Sequence, residues 1–209
     1  MENLLKAKRP FMVIGACLAW FALIFQFYLI LANRQASVPE TVIRYFTFFT
    51  ILSNLLAAVC FTYLLFSPLS RWGRFFSAPP NLTAITTYIV LVGIVYNIIL
   101  RMLWNPRGLQ KLVDELLHTV NPLLFLLFWI FFVSKSGLRW KAVFGWLIFP
   151  ILYVVVVLLR GAFSGYYPYP FVDVRNLGYP KVFLNTSILI FVFFLISLFL
   201  VWVGKWRTR

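Results

Sequence analysis

The stretch 116-LLHTVNPLLFLLFWIFFV-133 decides the fold. It is apolar over almost its whole length and carries no charge, yet it holds the only histidine of the 209-residue chain, His118. Roughly 20 such residues in a helix cross a hydrocarbon core of about 30 Å. Comparable runs recur in both directions, at about 11–32, 43–66, 82–104, 140–160 and 180–203, so six membrane helices are expected. The composition agrees: 63% hydrophobic, 11% charged and a mean hydropathy of +0.92 exceed what a water-soluble domain of this size can bury. The loops are short, which leaves one all-α bundle over residues 1–209 and no separate soluble domain.

The first apolar run follows Lys6, Lys8 and Arg9, as in a signal peptide. Its roughly 20 residues exceed the usual 7–15 of a signal core and no small-x-small site follows, so it is expected to be a retained helix. The net charge of +14 does not mark a nucleic-acid binder, because the basic residues are spread over the helix ends instead of one patch. They set the topology instead. Lys6, Lys8, Arg9, Arg71, Arg74, Lys135, Arg139, Lys141, Lys205, Arg207 and Arg209 make 11 of the 19, in the termini and alternate loops. Glu40, Asp114, Glu115 and Asp173 lie with the other 8. Both termini are therefore expected in the cytoplasm, with loops 33–43, 105–115 and 161–180 outside. Cys17 and Cys60 lie within helices and are expected as free thiols.

Polar groups inside membrane helices are costly, and their placement is informative. The halves expected toward the cytoplasm are nearly bare of strongly polar groups. The outer halves carry Arg44, Thr47, Thr50, Ser53 and Asn54, then Asn97 and Arg101, then His118 and Asn121, then Arg160. At 3.6 residues per turn Thr47, Thr50 and Asn54 share a face, with Arg44 one turn above. Back-bonding to their own helix accounts equally well for Thr50 and Ser53, but the Asn54 amide needs partners from elsewhere. His118 stands one turn from Asp114, a spacing at which a carboxylate can orient an imidazole. The competing reading is an acidic first helical turn with an interfacial histidine. Pro122 has no N–H for the carbonyl of His118, so a bend is expected there. Thr47 and His118 fall about one turn inside the outer ends of their helices, the equal depth that a hydroxyl–imidazole pair requires.

The loop 161-GAFSGYYPYPFVDVRNLGYP-180 is too aromatic for an idle connector and is expected to lie over the bundle mouth, with Tyr169 and Asp173 facing substrate. No His/Cys/carboxylate cluster has metal spacing and no Gly-rich phosphate loop occurs, so no metal and no cofactor are expected. Mid-membrane acidic residues, the mark of a proton- or sodium-coupled transporter, are absent from the sequence.

Together, 44-RYFTFFTILSN-54, 114-DELLHTVNPLLFLLFW-129 and 167-YPYPFVDV-174 in a six-helix chain resemble the androgen-induced membrane protein family, whose animal members are threonine hydrolases of fatty acid esters of hydroxy fatty acids. The likeness is to the family's bacterial six-helix relatives and includes R-G-x(3)-G-x-Y-P-Y-P-F at 160–171. It implies Thr47 as nucleophile, His118 as base and Thr50 as the second candidate nucleophile, in a bacterial cytoplasmic membrane. On that reading Asp114 orients His118, and Asn54 or Asn121 donates to the oxyanion. Arg44, Arg101 or Arg160 holds a fatty carboxylate, and Asn97 lines the pocket. The expected partner is a lipid ester in the bilayer. A non-catalytic amphiphile-binding protein, or a small transporter, would use the same polar mouth over an apolar shaft.

Overall fold

The computed structural model describes residues 2–206, so Arg207 and Arg209, used above for topology, lie outside the described residues. Among the described residues, six helices are long and apolar enough to cross a membrane. α1 runs Glu2–Ala32. The second crossing is split into α2, Val38–Thr47, and α3, Phe49–Phe66. A short α4, Arg71–Ser77, leads into α5, Pro79–Ile98, which a 3₁₀ turn at Leu100–Met102 extends. The fourth crossing comprises α6, Gly108–Glu115, a π turn at Leu116–Val120 and α7, Asn121–Phe132. α8, Ala142–Trp146, and α9, Ile148–Ser164, form the fifth, and α10, Val174–Trp206, the sixth.

Local chemistry sets several of these boundaries. Ser37 caps α2 by accepting the Glu40 N–H, and prolines open α2 and α5 where a missing N–H costs nothing. The Ser70 hydroxyl accepts the Gly73 N–H at 3.0 Å and starts α4.

α1, α3, α5 and α7 form the packed centre, with α10 against α5 and α9 on the periphery. Ile151, Leu152, Val155, Val156 and Leu159 of α9 are exposed, as a lipid-facing surface requires. Because lipid removes the hydrophobic drive between helices, close packing and buried hydrogen bonds hold them. Phe61, Phe125, Phe128 and Trp129 fill the centre away from the 33–37 loop. Trp129 Nε1 donates to Thr83 Oγ1 at 2.9 Å, and Tyr45 donates to the Leu23 carbonyl at 2.8 Å. Such bonds contribute about 0.6–2 kcal/mol each in membranes.

Two departures from the expected spans bear on function. The second helix is not continuous, because Phe48 is extended (φ −80°, ψ 125°). The fourth begins at Gly108, eight residues before the expected 116, because polar Gln110, Lys111 and Asp114 obscure its start. His118 therefore sits ten residues into that crossing, about 15 Å at 1.5 Å per residue, instead of one turn. The Phe48 break is likewise ten residues from the start of α2.

Candidate functional site

The site forms where both crossings are irregular. In the π turn the Asn121 N–H reaches back five residues to Leu116 O. Pro122 would be the next donor, whether for Leu117 five residues back or His118 four back, and it has none. Both orphaned carbonyls find amides on other helices. Asn54 Nδ2 donates to Leu117 O at 3.1 Å, and Asn97 Nδ2 to His118 O at 3.2 Å. Close approach of α5 to this turn requires Gly93, whose missing Cβ would stand 3.1 Å from Pro122 Cβ and 3.3 Å from His118 O. The defect is thus held open by partners from α3 and α5, as π turns at functional sites commonly are.

These bonds settle what the asparagines do. Asn54 gives both amide hydrogens to carbonyls, Thr50 O at 2.9 Å being the second, and Asn121 Nδ2 donates to Asn54 Oδ1 at 2.9 Å. Asn54 and Asn121 are both buried, and neither lines the cavities described below. Both Asn54 hydrogens are taken and Asn121 lies outside both cavities, so neither is placed for the expected oxyanion role. Asn97 bonds Gly93 O and accepts from Arg101, and it too supports the turn.

His118 is fixed on three sides. Nδ1 lies 2.9 Å from the Asp114 carbonyl oxygen and 3.3 Å from Asp114 Oδ1. The ring stacks on Tyr96 at 4.0 Å between centroids, and the Tyr96 hydroxyl donates to Asp114 Oδ2. A carbonyl can only accept, so Nδ1 carries the hydrogen and Nε2 of the neutral ring is an acceptor. Nε2 points at Thr50 Oγ1, 3.3 Å away.

The hydroxyl facing His118 therefore belongs to Thr50. The expected pairing with Thr47 fails for a local reason. The extended Phe48 rotates Thr47 and Thr50 off a common helical face. Thr47 closes α2 by back-bonding to Ile43 O at 2.7 Å and faces neither cavity. Tyr153 donates to the Thr47 carbonyl at 2.9 Å, supplying the bond that the break removed.

Thr50 opens α3, and its N–H donates to the Tyr169 hydroxyl oxygen at 3.3 Å. The same phenol lies 3.3 Å from Thr50 Oγ1. Tyr169 descends from the 165–173 loop, where its ring stacks on Phe171 (5.1 Å, 7°) and meets Phe48 edge-on. Gly161 lets the loop fold down, because a Cβ there would overlap the Tyr167 ring. Burial pushes the Tyr169 phenol above its ordinary value, so it stays protonated.

Two cavities meet at this cluster. One, of about 610 Å³, is a vestibule lined by Arg44, Gln110, Asp114, Tyr166 and others from the 33–37 end of the bundle. The other, of about 80 Å³, is apolar and reaches between α3, α5, α9 and α10 past Leu91, Val154 and Leu189. Thr50, Tyr96, His118 and Tyr169 line both. The apolar arm thus lies on the α5–α10 side of Thr50 and His118.

The remaining predicted residues divide. Arg44 and Arg160 share Glu40, at 2.8 and 2.6 Å, and both lie over the Tyr166 ring. Hydrogen bonds from Arg44 and then Arg160 hold the Glu40 carboxyl below its ordinary range. Arg44 reaches the vestibule. Arg101 grips Glu115 with two bonds of 2.7 Å on an exposed flank away from both cavities. Asp173 starts α10, accepting from Arg175 N at 3.0 Å and binding its guanidinium, and lines neither cavity.

Sequence reasoning passed over Tyr96, Tyr153 and Glu40. Glu40 stands four residues before Arg44, a legible helical pair. A phenol inside the apolar run of α9 was the signal for Tyr153, since its hydroxyl must find an acceptor there. The same signal held for Tyr96 in the apolar run of α5, whose hydroxyl finds Asp114.

No protein-family model, curated protein or solved structure matches the chain.

Proposed function

We propose that the protein is an intramembrane hydrolase of amphiphilic lipid esters, with Thr50 as nucleophile and His118 as general base. One observation carries this reading: a threonine hydroxyl 3.3 Å from His118 Nε2, at the junction of a polar vestibule and an apolar cavity. A nucleophile, a base and a group orienting the base are the parts that acyl transfer needs. The resemblance to fatty acid ester hydrolases points the same way, with the nucleophile moved from Thr47 to Thr50.

In the first half-reaction Thr50 Oγ bonds to the ester carbonyl carbon while His118 Nε2 takes the hydroxyl proton. The tetrahedral intermediate then collapses, the ester C–O bond breaks, and the alkoxide leaves with the proton from His118. Water from the vestibule repeats the cycle in reverse and frees Thr50. Asp114 steadies the imidazolium through Nδ1.

An apolar cavity of about 80 Å³ has the volume of roughly three waters, so it seats only the carbons next to the ester. The rest of a long acyl chain continues into the bilayer past Val154 and Leu189. The acidic end of a fatty acid ester of a hydroxy fatty acid occupies the vestibule near Arg44, where two guanidiniums share one carboxylate and leave positive charge uncompensated. We assign this vestibule to the outer face, following the topology expected from the basic residues, and the membrane to a bacterial cytoplasmic one, following the resemblance.

The test is a fluorophosphonate probe on purified protein, with the adduct mapped by mass spectrometry. Label on Thr50 that is lost in His118→Ala is the expected result. Label on Thr47 would return the role to that residue. Absence of label and of ester turnover would leave amphiphile binding without catalysis as the function.

A further inference from the structure

Ester cleavage through a tetrahedral intermediate needs donors at the developing oxyanion, and the buried asparagines, which line neither cavity, are not placed to supply them. Asn54 gives its two amide hydrogens to Thr50 O and Leu117 O, and Asn121 gives one to Asn54. The donors must come from whatever else touches Thr50.

Two groups do. The Phe48 break makes Thr50 the second residue of α3, so its N–H has no carbonyl one turn back. That N–H instead meets the Tyr169 hydroxyl oxygen at 3.3 Å, and the same oxygen is 3.3 Å from Thr50 Oγ1. The hydrogens can be assigned in order. His118 Nδ1 donates to the Asp114 carbonyl, so Nε2 accepts from the Thr50 hydroxyl. Thr50 Oγ1 has then given its hydrogen away and can only accept from Tyr169. The Tyr169 O–H thus has the reacting oxygen as one acceptor, 3.3 Å away, and the Tyr153 hydroxyl, whose own hydrogen goes to the Thr47 carbonyl, as the other.

From this we infer that Tyr169 is a catalytic residue, its hydroxyl donating, together with the Thr50 N–H, to the oxyanion formed on the substrate. The inference rests on the hydrolase reading above. As Thr50 Oγ bonds to carbon its proton passes to His118, and it becomes an ether-type oxygen, a poorer acceptor than the oxyanion forming beside it. The carbonyl π pair moves onto the substrate oxygen, which arrives beside Oγ within reach of both donors. Tyr169 turns its O–H to that oxygen and the Thr50 N–H is released to it. No proton leaves either donor, so atoms and charge balance through the Thr50–His118 transfer alone. The donor is brought by the 165–173 loop, which makes the loop part of the catalytic apparatus as well as a cover.

Tyr169→Phe removes the hydroxyl while keeping the ring that packs on Phe171 and Phe48. Measured on the full-length protein in lipid nanodiscs with a long-chain ester, kcat should fall by about 10²–10³-fold with KM nearly unchanged. A second variant guards against a folding defect. Incorporating 3,5-difluorotyrosine at 169 nearly keeps the shape and makes the phenol ionise at lower pH. The kcat–pH profile should then gain a falling alkaline limb, because a phenolate cannot donate. A purely structural tyrosine would not produce that limb. Tyr169→Phe keeping kcat within about threefold, or a difluorotyrosine profile identical to wild type, would overturn the assignment and leave the Thr50–His118 reading intact. Wild-type protein with neither turnover nor phosphonate label would overturn both.

Discussion

The last turn of α2 and the first turn of α3 belong to one membrane crossing, and each holds a threonine. Thr47 returns its hydroxyl hydrogen to its own helix, at 2.7 Å from Ile43 O. Thr50, three residues on, offers its hydroxyl to His118 and Tyr169, from the fourth crossing and the 165–173 loop. Their burial is nearly the same, 7% and 6% exposed, so burial is not what separates them. The separation comes from Phe48, which ends one helix and starts the next. A hydroxyl within a helix has a carbonyl four residues back and takes it. A hydroxyl at a new helix start has none there and is free to meet groups from elsewhere. The break turns an ordinary membrane threonine into a candidate nucleophile.

The largest expected effect tests this contrast directly. Thr50→Ala and His118→Ala should each lower kcat for lipid ester hydrolysis by at least about 10⁴-fold, and the double variant should lose little more, because the two act as one unit. Thr47→Ala should stay within about threefold of wild type in the same assay. A large loss at Thr47 with retention at Thr50 would reverse the comparison and require Phe48 to become helical when substrate binds.

A smaller effect is expected at Asp114. Nδ1 of His118 already has the Asp114 backbone carbonyl at 2.9 Å, so the tautomer survives when the side chain is changed. Asp114→Asn should therefore reduce kcat by on the order of tenfold, well short of losing the base. A loss as large as that of His118→Ala would mean that the carboxylate, not the carbonyl, sets the tautomer.

How much of this was legible follows from what each feature depends on. The six crossings depend on local apolarity, and they were readable. The Asp114–His118 pair depends on helical spacing, and the structure brings those two residues together. The Phe48 break depends on Tyr153, which takes the Thr47 carbonyl, and on Tyr169, which takes the Thr50 N–H, both more than 100 positions away. Nothing in 44-RYFTFFTILSN-54 announces it. Pro122 foretold a defect near His118 but not that Asn54 and Asn97 would supply the missing donors. That is why two asparagines with structural partners looked like available ones.

At the mouth, acid should loosen what the break arranges. Glu40 is held below its ordinary carboxyl pKa of 4.5, first by its bond from Arg44 and then by Arg160. A depressed folded pKa gives stability that is present above the unfolded value and lost as pH falls through the folded one. The melting temperature in detergent should thus be insensitive to Glu40 between neutral pH and about 4.5, then decline below it. Glu40→Gln should remove that acid-side decline and lower the neutral-pH melting temperature by up to about 3 °C, as a partly exposed ion pair allows. An unchanged acid limb in the variant would place the titrating group elsewhere.

The smallest effect sharpens the contrast from the other side. Thr47→Val keeps the shape of the side chain and deletes only the hydroxyl that bonds Ile43 O. That carbonyl keeps the backbone N–H four residues on within α2 as its partner, so the cost should be less than about 1 kcal/mol. Activity should remain within about twofold, since Thr47 faces neither cavity. Thr50→Val is the matched change one helix start later, equal in shape and nearly equal in burial. It should fold as well as Thr47→Val in a melting assay and yet retain neither turnover nor phosphonate label. If the two valine variants behaved alike in both assays, the extended residue between them would carry no functional weight, and the hydroxyl serving His118 would have to be sought elsewhere along the vestibule.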